Sequence, residues 1–147
     1  MRVCYMCCMN DNYIRTATTV SLIHYHFVFC PRYRRKIFLI PGVEDRFKKL
    51  TEEVCAAHDI RIIAMECHVD HVHLFLNCLP TQSPADVMKW VKGASSHKIR
   101  AEFQVLGALP SLWTRSYFVS TAGNVSSATV KKYVDSQKTS SYIKKKR

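Results

Sequence analysis

Two histidines one residue apart, His71-Val72-His73, open an apolar run that continues Leu74-Phe75-Leu76. On a β-strand, side chains alternate with period two, so both imidazoles face one side with Cβ atoms roughly 6–7 Å apart. Rings at that separation can converge on one cation, because a metal–nitrogen bond is about 2.0–2.1 Å and each ring spans part of the gap. Two nitrogens leave coordination positions open, as a catalytic site requires. A His-x-His pair taken alone is more often accidental than metal-binding. The second pattern is Lys131-Lys132-Tyr133-Val134-Asp135-Ser136-Gln137. In a helix, Tyr133 and Gln137 stand one turn apart on one face, about 5–6 Å between Cβ atoms. A metal pair and an aligned phenol–amide pair point to an enzyme that attacks a phosphodiester with tyrosine. Such an attack exchanges one phosphoester for another, so strand joining needs no ATP. The chain accordingly has no Gly-x-x-x-x-Gly-Lys segment, and no nucleotide cofactor is expected.

These residues need elements to hold them. Thr18 to Cys30 is rich in β-branched and aromatic residues and is ended by Pro31, which predicts a first strand. From Gly42 onward, Val43, Phe47, Leu50, Val54 and Cys55 recur at helical spacing, predicting a helix that ends near His58. Ile60 to Cys67 and Val72 to Leu79 are apolar segments joined by His68-Val69-Asp70-His71, a hairpin signal that sets the histidine pair at the start of its second strand. Ser83 and Pro84 suit the N-cap and first position of a second helix. Its apolar face is expected to carry Val87, Met88, Val91, Ala94, Ile99 and Phe103. A loop with Gly107 and Pro110 leads to a last strand, Leu112 to Ser120. After Gly123, Ser126 or Ser127 can cap a final helix running through Tyr133 and Gln137 to about Lys138. The order β-α-β-β-α-β predicts an α+β, ferredoxin-like sandwich with an antiparallel sheet and an added C-terminal helix carrying the tyrosine. At 147 residues the chain is one domain. We divide it into an N-terminal extension (1–15), a catalytic domain (16–139) and a basic tail (140–147).

His-hydrophobic-His after Cys67-His68-Val69-Asp70, with Tyr-x-x-x-Gln near the C-terminus, resembles the HUH-type single-tyrosine transposases (TnpA-like, acting on single-stranded DNA) of small insertion sequences. The similarity runs from about residue 20 to about residue 138. It also takes in His24-Tyr25-His26, Pro31-Arg32-Tyr33-Arg34-Arg35-Lys36 and Leu112-Trp113-Thr114-Arg115-Ser116-Tyr117-Phe118. The resemblance implies a transposase that nicks and rejoins single strands at insertion-sequence ends through a 5′-phosphotyrosine link. Tyr133 would be the nucleophile. His71, His73 and Gln137 would hold the divalent ion, Gln137 through its amide oxygen. Two imidazoles and a neutral oxygen suit Mg²⁺ or Mn²⁺ aided by substrate phosphates. The family further implies a homodimer and DNA hairpins near the ends as the recognised partner. It makes the His24/His26 strand structural, with packing or supporting roles for this rival pair. Asp70 either orients a histidine or closes the turn.

The formal net charge of +11 and pI near 9.5 report a polyanionic partner, nucleic acid by default. Arg32, Arg34, Arg35 and Lys36 with Tyr33 form a cationic patch with one stacking ring; it either tracks phosphates or is a solvated loop. Lys89, Lys92 and Lys98 lie off the apolar face of the second helix, to grip a hairpin stem or to keep the helix soluble. Arg115 and Tyr117 alternate on the last strand, one expected toward DNA and the other toward the core. Lys131 and Lys132 complete the DNA-contact set. No apolar run approaches the roughly 20 residues of a membrane span, and Met1 to Asn12 does not read as a signal peptide. A cytoplasmic protein, on the nucleoid when DNA-bound, is expected. Of seven cysteines, Cys30, Cys55, Cys67 and Cys78 read as buried free thiols. Cys4-x-x-Cys7-Cys8 lacks a second pair at zinc spacing and suits a loose extension better. The rival readings are a replication- or conjugation-type HUH nuclease and a noncatalytic ferredoxin-like nucleic-acid-binding module. The module would need stacking aromatics on its sheet face, where the second hairpin strand offers only Phe75.

Overall fold

A computed structural model describes residues 13–121. Its sheet grows from the central strand β3 (Ile23–Phe29), preceded by a short hairpin of β1 (Ile14–Arg15) and β2 (Val20–Ser21). The hairpin closes where Thr16 N–H donates to the Thr19 carbonyl at 2.8 Å. The expected first strand is therefore broken between Ser21 and Ile23, and its leading part folds back on Ile14–Arg15. Helix α1 (Val43–Ala57) follows, then β4 (Arg61–Cys67), β5 (Val72–Cys78), α2 (Pro84–Glu102), α3 (Gln104–Gly107) and β6 (Phe118–Thr121). The four-stranded sheet has order β4-β5-β3-β6 with every pair antiparallel. This is the expected α+β, ferredoxin-like arrangement. The tyrosine-bearing C-terminal helix, with Lys131, Lys132, Tyr133 and Gln137, lies outside the described residues.

Alternation decides which residues meet. Tyr25, Phe27 and Phe29 of β3 and Val72, Leu74, Leu76 and Cys78 of β5 join the core beneath the two long helices. His24 and His26, and His73, Phe75 and Asn77, take the opposite face of the same two strands. Helix α1 contributes Val43, Phe47, Leu50 and Cys55 to the core; α2 contributes Val87, Met88, Val91 and Ile99. Gly42 precedes α1 at φ 86°, a conformation that favours glycine. Ser83 caps α2, accepting from Asp86 N–H at 3.1 Å, with Pro84 in the first turn as expected.

Two expectations change. Ser95, rather than Ala94, takes the fully buried place on α2: its hydroxyl donates to Val91 O (2.6 Å) and accepts from the Trp113 indole N–H (2.9 Å). The hydroxyl is tolerated inside because both partners satisfy it. The last strand is also shorter than Leu112 to Ser120. Leu112 and Trp113 turn into the core, and the carbonyls of Thr114, Arg115 and Ser116 are taken by the Lys92 ammonium at 2.5–3.4 Å instead of by a strand partner. Only Phe118–Thr121 pairs with β3.

Trp113 packs against Phe29 (ring centroids 4.9 Å), Phe47 (5.4 Å) and Phe38 (6.2 Å). Trp113→Ala should therefore remove about 3–5 kcal/mol of stability. Urea unfolding followed by circular dichroism checks this. A loss below about 1 kcal/mol would mean that the indole does not anchor the loop.

Candidate metal centre and nucleic-acid groove

The hairpin between β4 and β5 is closed by His68 N–H donating to the His71 carbonyl at 2.8 Å. That closure brings three imidazoles together. The ring nitrogens of His68, His71 and His73 lie within 4.8 Å of one another. His68 and His71 stack (centroids 4.4 Å, planes 8° apart), and His73 stands edge-on to both at 72–74°. His71 precedes β5, whereas His73 is its second residue.

Each member of the His71/His73 pair is held at Nδ1 from outside the cluster. His71 Nδ1 is 2.8 Å from Asp70 Oδ1. Asp70 also pairs with Arg34, whose guanidinium nitrogen is 3.4 Å from Oδ2. His73 Nδ1 is 3.0 Å from His26 Nε2. His26 in turn lies flat on Phe75, centroids 4.1 Å and planes 5° apart. Pinning Nδ1 of both rings directs their Nε2 atoms elsewhere, the arrangement in which a second partner fixes the tautomer of a metal-binding histidine. Asp70 thus touches the His71 ring, the contact that the orienting alternative requires. His26 touches the pair as a supporting ring, and His24 is buried on the same face.

Burial favours the neutral form of His73, His26 and His24. Desolvation, with the neighbouring His71, His26 and His68, lowers the His73 pKa from 6.5 to about 4; desolvation lowers His26 and His24 as well. Neutral imidazoles are the form that offers a lone pair to a metal. The linkage has a definite sign. A histidine whose folded pKa is depressed stabilises the fold fully above its unfolded value, and that contribution is lost as pH falls from about 6.5 toward 4. For His73 it amounts to about 3 kcal/mol at most. Metal-free protein should lose stability over that window, and His73→Phe should flatten the loss. Equal acid sensitivity of the two proteins in thermal melts would remove His73 as the source.

A groove of about 890 Å³ opens on the helix side, lined among others by Arg32, Tyr33, Lys89, Lys92, Trp113 and Arg115. The turn at Arg32–Arg34 serves both places, giving Arg32 and Tyr33 to the groove and Arg34 to Asp70. Tyr33, at φ 60°, is 74% exposed with Arg32 and Arg35 guanidiniums 5.5 and 5.9 Å from its ring centre. Arg35, Lys36, Lys89, Lys98 and Arg115 are exposed. Lys92 is half-buried and spends its donors on the loop carbonyls, 5.6 Å from the Tyr117 ring centre. Arg115 and Tyr117 do not alternate on a strand, because that segment is held in a loop by Lys92. Both are surface residues lining the groove.

Residues 19–137 match the family model for IS200-like transposases. The chain belongs to the IS200-like transposase family. This transposase is 32% identical over 121 residues to the ISDra2 transposase TnpA of Deinococcus radiodurans, covering 80% of this chain and 86% of that one. It is 32% identical over 117 residues to the IS200 transposase of Salmonella typhimurium, covering 77% and 75%. Among solved structures, a Deinococcus radiodurans R1 protein described as a transposase superposes with TM-score 0.67 at 27% identity, covering 84% of this chain and 97% of that one. A REP-associated tyrosine transposase bound to a REP hairpin superposes with TM-score 0.58 at 13% identity, covering 83% and 68%, a likeness of fold. Among the described residues, no helix of the transposase is long and apolar enough to cross a membrane.

One residue of the cluster in this transposase escaped the sequence reading, which took His68 as part of the turn. A signal existed: His68, His71 and His73 span a tight hairpin turn, and closing such a turn folds its first residue back over its last. The stacked pair His58 and Trp90 (3.7 Å, 5°) and the thiols Cys55, Cys67 and Cys78, each pushed up to about 12 by burial, lie in other parts of the fold.

Proposed function

We propose that this transposase cuts and rejoins single-stranded DNA at insertion-sequence ends by tyrosine attack on a scissile phosphate, using a divalent ion held by His71, His73 and Gln137. The observation that carries the reading is the His71/His73 pair. The two imidazoles converge, and each is anchored at Nδ1 so that Nε2 is left for a metal. The donor set fits a catalytic ion, since it fills some coordination positions and leaves others for substrate oxygens. Bound there, Mg²⁺ or Mn²⁺ would polarise the phosphate and offset the charge that develops on it. Tyr133 Oη forms the new P–O bond to the 5′ phosphate, its proton passes to solvent or a nearby base, and the 3′ oxygen leaves as a hydroxyl. Reversal by another 3′-hydroxyl rejoins the strand and frees the phenol.

The partner proposed is a single strand carrying a hairpin, with a homodimer of this chain as the acting unit. The REP-associated neighbour supports the hairpin by fold and by its bound ligand. Arg32, Lys89 and Arg115 around the groove, with Tyr33 as a stacking surface, are the contacts proposed for it. Arg34, Arg35, Lys36, Lys98, Lys131 and Lys132 extend the basic set. We place the catalytic unit at 16–139, flanked by an extension and a basic tail, in the cytoplasm. The noncatalytic module loses the ring expected to serve it on β5, because Phe75 is 2% exposed and covered by His26; the open ring on that face is Phe118 of β6, 57% exposed.

The test is incubation with labelled single-stranded insertion ends and Mg²⁺ or Mn²⁺, followed by a denaturing gel. A covalent adduct is expected that disappears in EDTA. His71→Ala or His73→Ala should lower its yield by roughly 100-fold or more, beyond the ~10–100-fold typical of losing a supporting partner. Gln137→Ala should cost less, because water can replace one neutral oxygen. An adduct that forms unchanged in EDTA would falsify the metal assignment.

A further inference from the structure

We propose that Phe118 is a base platform beside the histidine pair: the nucleobase next to the scissile phosphate stacks on its ring, and that stack sets where the phosphate lies relative to His71 and His73. The proposal rests on the single-strand reading above and names a residue which that reading does not use.

The sheet register places the ring. Phe118 of β6 pairs with Val28 of β3, and Val28 pairs with His73 of β5. Residues directly opposite on antiparallel strands project from the same face, so His73, Val28 and Phe118 form one row on the side away from the helices. Two strand spacings, about 9–10 Å, separate the ends of that row. This is of the order of the reach from a phosphate to the base of its own or the adjoining nucleotide. His26 fills the space between the two ends. Phe118 stands edge-on to it (centroids 6.1 Å, planes 75° apart), and His26 stacks against His73 at 5.3 Å. The distance from platform to histidine pair is therefore set by paired strands and a buried ring, not by a loop.

Exposure separates Phe118 from its neighbours. His24, His26, His73, Phe75 and Asn77 on this face are buried, whereas Phe118 is open. A single exposed ring is ordinary on a protein surface, and it is the place of this one that matters. A flat apolar ring takes another flat ring, and a base is the flat group that arrives with any phosphate held at the histidine pair. Such stacking tolerates every base, and aromatic side chains on an open sheet face bind single strands in this way. Bases inside a duplex have both faces covered by adjacent pairs, so only an unstacked base can use the platform. The exposed tyrosines Tyr33 and Tyr117 line the groove on the helix side and do not compete for this base.

The experiment is a double-mutant cycle between protein and DNA. The substrates are single-stranded insertion ends, intact or abasic at the position just 5′ or just 3′ of the cleaved bond, with Mn²⁺ and subsaturating DNA. Phe118→Ala should slow adduct formation on intact DNA at least ~5-fold, the low end of what one base–aromatic stack contributes. Phe118→Leu should lose nearly as much, and Phe118→Tyr should retain the rate, because only the latter keeps a ring. On DNA abasic at one of the two positions the unaltered protein should slow by the same factor, and Phe118→Ala should slow no further. A readout without cleavage uses Tyr133→Phe protein and 5-iodouracil at that position: irradiation should crosslink the base to the peptide containing Phe118. Losses that multiply at both positions, or Phe118→Leu acting like the unaltered chain, overturn the inference and leave the proposed function standing. So does a dimer of the unaltered chain that Phe118→Ala dissociates in sedimentation, since the ring would then face a second copy. No adduct from the unaltered protein on intact DNA overturns the proposed function and this inference with it.

Discussion

Tyr133→Phe transposase is expected to form no covalent adduct with a single-stranded insertion end, while still binding a hairpin-bearing strand like the unaltered protein. The substitution removes one oxygen and keeps the ring, so packing and helix propensity change little. It deletes the atom that must bond to phosphorus. A phenol has a pKa of about 10 and is a poor nucleophile at neutral pH without help, so no nearby side chain can substitute passively. Loss of an essential nucleophile typically costs on the order of 10⁴-fold or more in the chemical step. Neither exposed tyrosine of the described residues is a ready replacement. Tyr117 packs beside Phe27, 6.3 Å between ring centres, on the helix side of the sheet, whereas His73 occupies the opposite face. Tyr33 is flanked by Arg32 and Arg35 in the basic turn. An undiminished adduct from Tyr133→Phe would move the nucleophile to another tyrosine, with Tyr117 and Tyr142 the next to replace.

The parts of the fold legible in the sequence are those where one local rule dominates. Helix α1 follows its apolar period from Val43 to Ala57, and α2 begins at the Ser83-Pro84 signal. The β4–β5 hairpin follows the change from apolar run to polar turn and back. Where tertiary contacts decide, the pattern misleads. Leu112 to Tyr117 has the composition of a strand, yet Trp113 is worth more in the aromatic cluster with Phe29 and Phe47, and Lys92 supplies the donors that a sheet would have given. Ser95 reads as a surface residue until Trp113, far along the chain, arrives to donate to it.

The site divides the same way. The same-face placement of His71 and His73 is a property of strand geometry and needs no partner to be seen. Their support is mixed: Asp70 is adjacent in sequence, whereas His26 comes from β3 and reaches His73 only through sheet pairing. His68 stayed hidden because a turn residue's direction depends on how the turn closes.

The second large effect concerns the form of the DNA. Single-stranded substrate carrying a hairpin should be cleaved far better than the fully paired duplex of the same sequence. The phenol of Tyr133, in the mechanism proposed, must reach an in-line position behind the scissile phosphate, and a flexible strand can be threaded there at small cost. A duplex must first be opened. Unstacking costs about 1.4 kcal/mol per base-pair step, so freeing about five steps costs roughly 7 kcal/mol, near 10⁵ in equilibrium constant. Basic residues such as Arg32, Lys89 and Arg115 do not remove that barrier, because phosphates are present in both forms. They do make binding fall steeply as salt rises, and the fall discriminates nothing, since any chain with net charge +11 would show it. The informative comparison therefore holds salt fixed and varies only pairing. Cleavage yields of matched single-stranded and duplex ends, read on one denaturing gel at equal Mn²⁺, should differ by several orders of magnitude. Equal yields would sink the single-strand transposase reading and leave a duplex nuclease in its place.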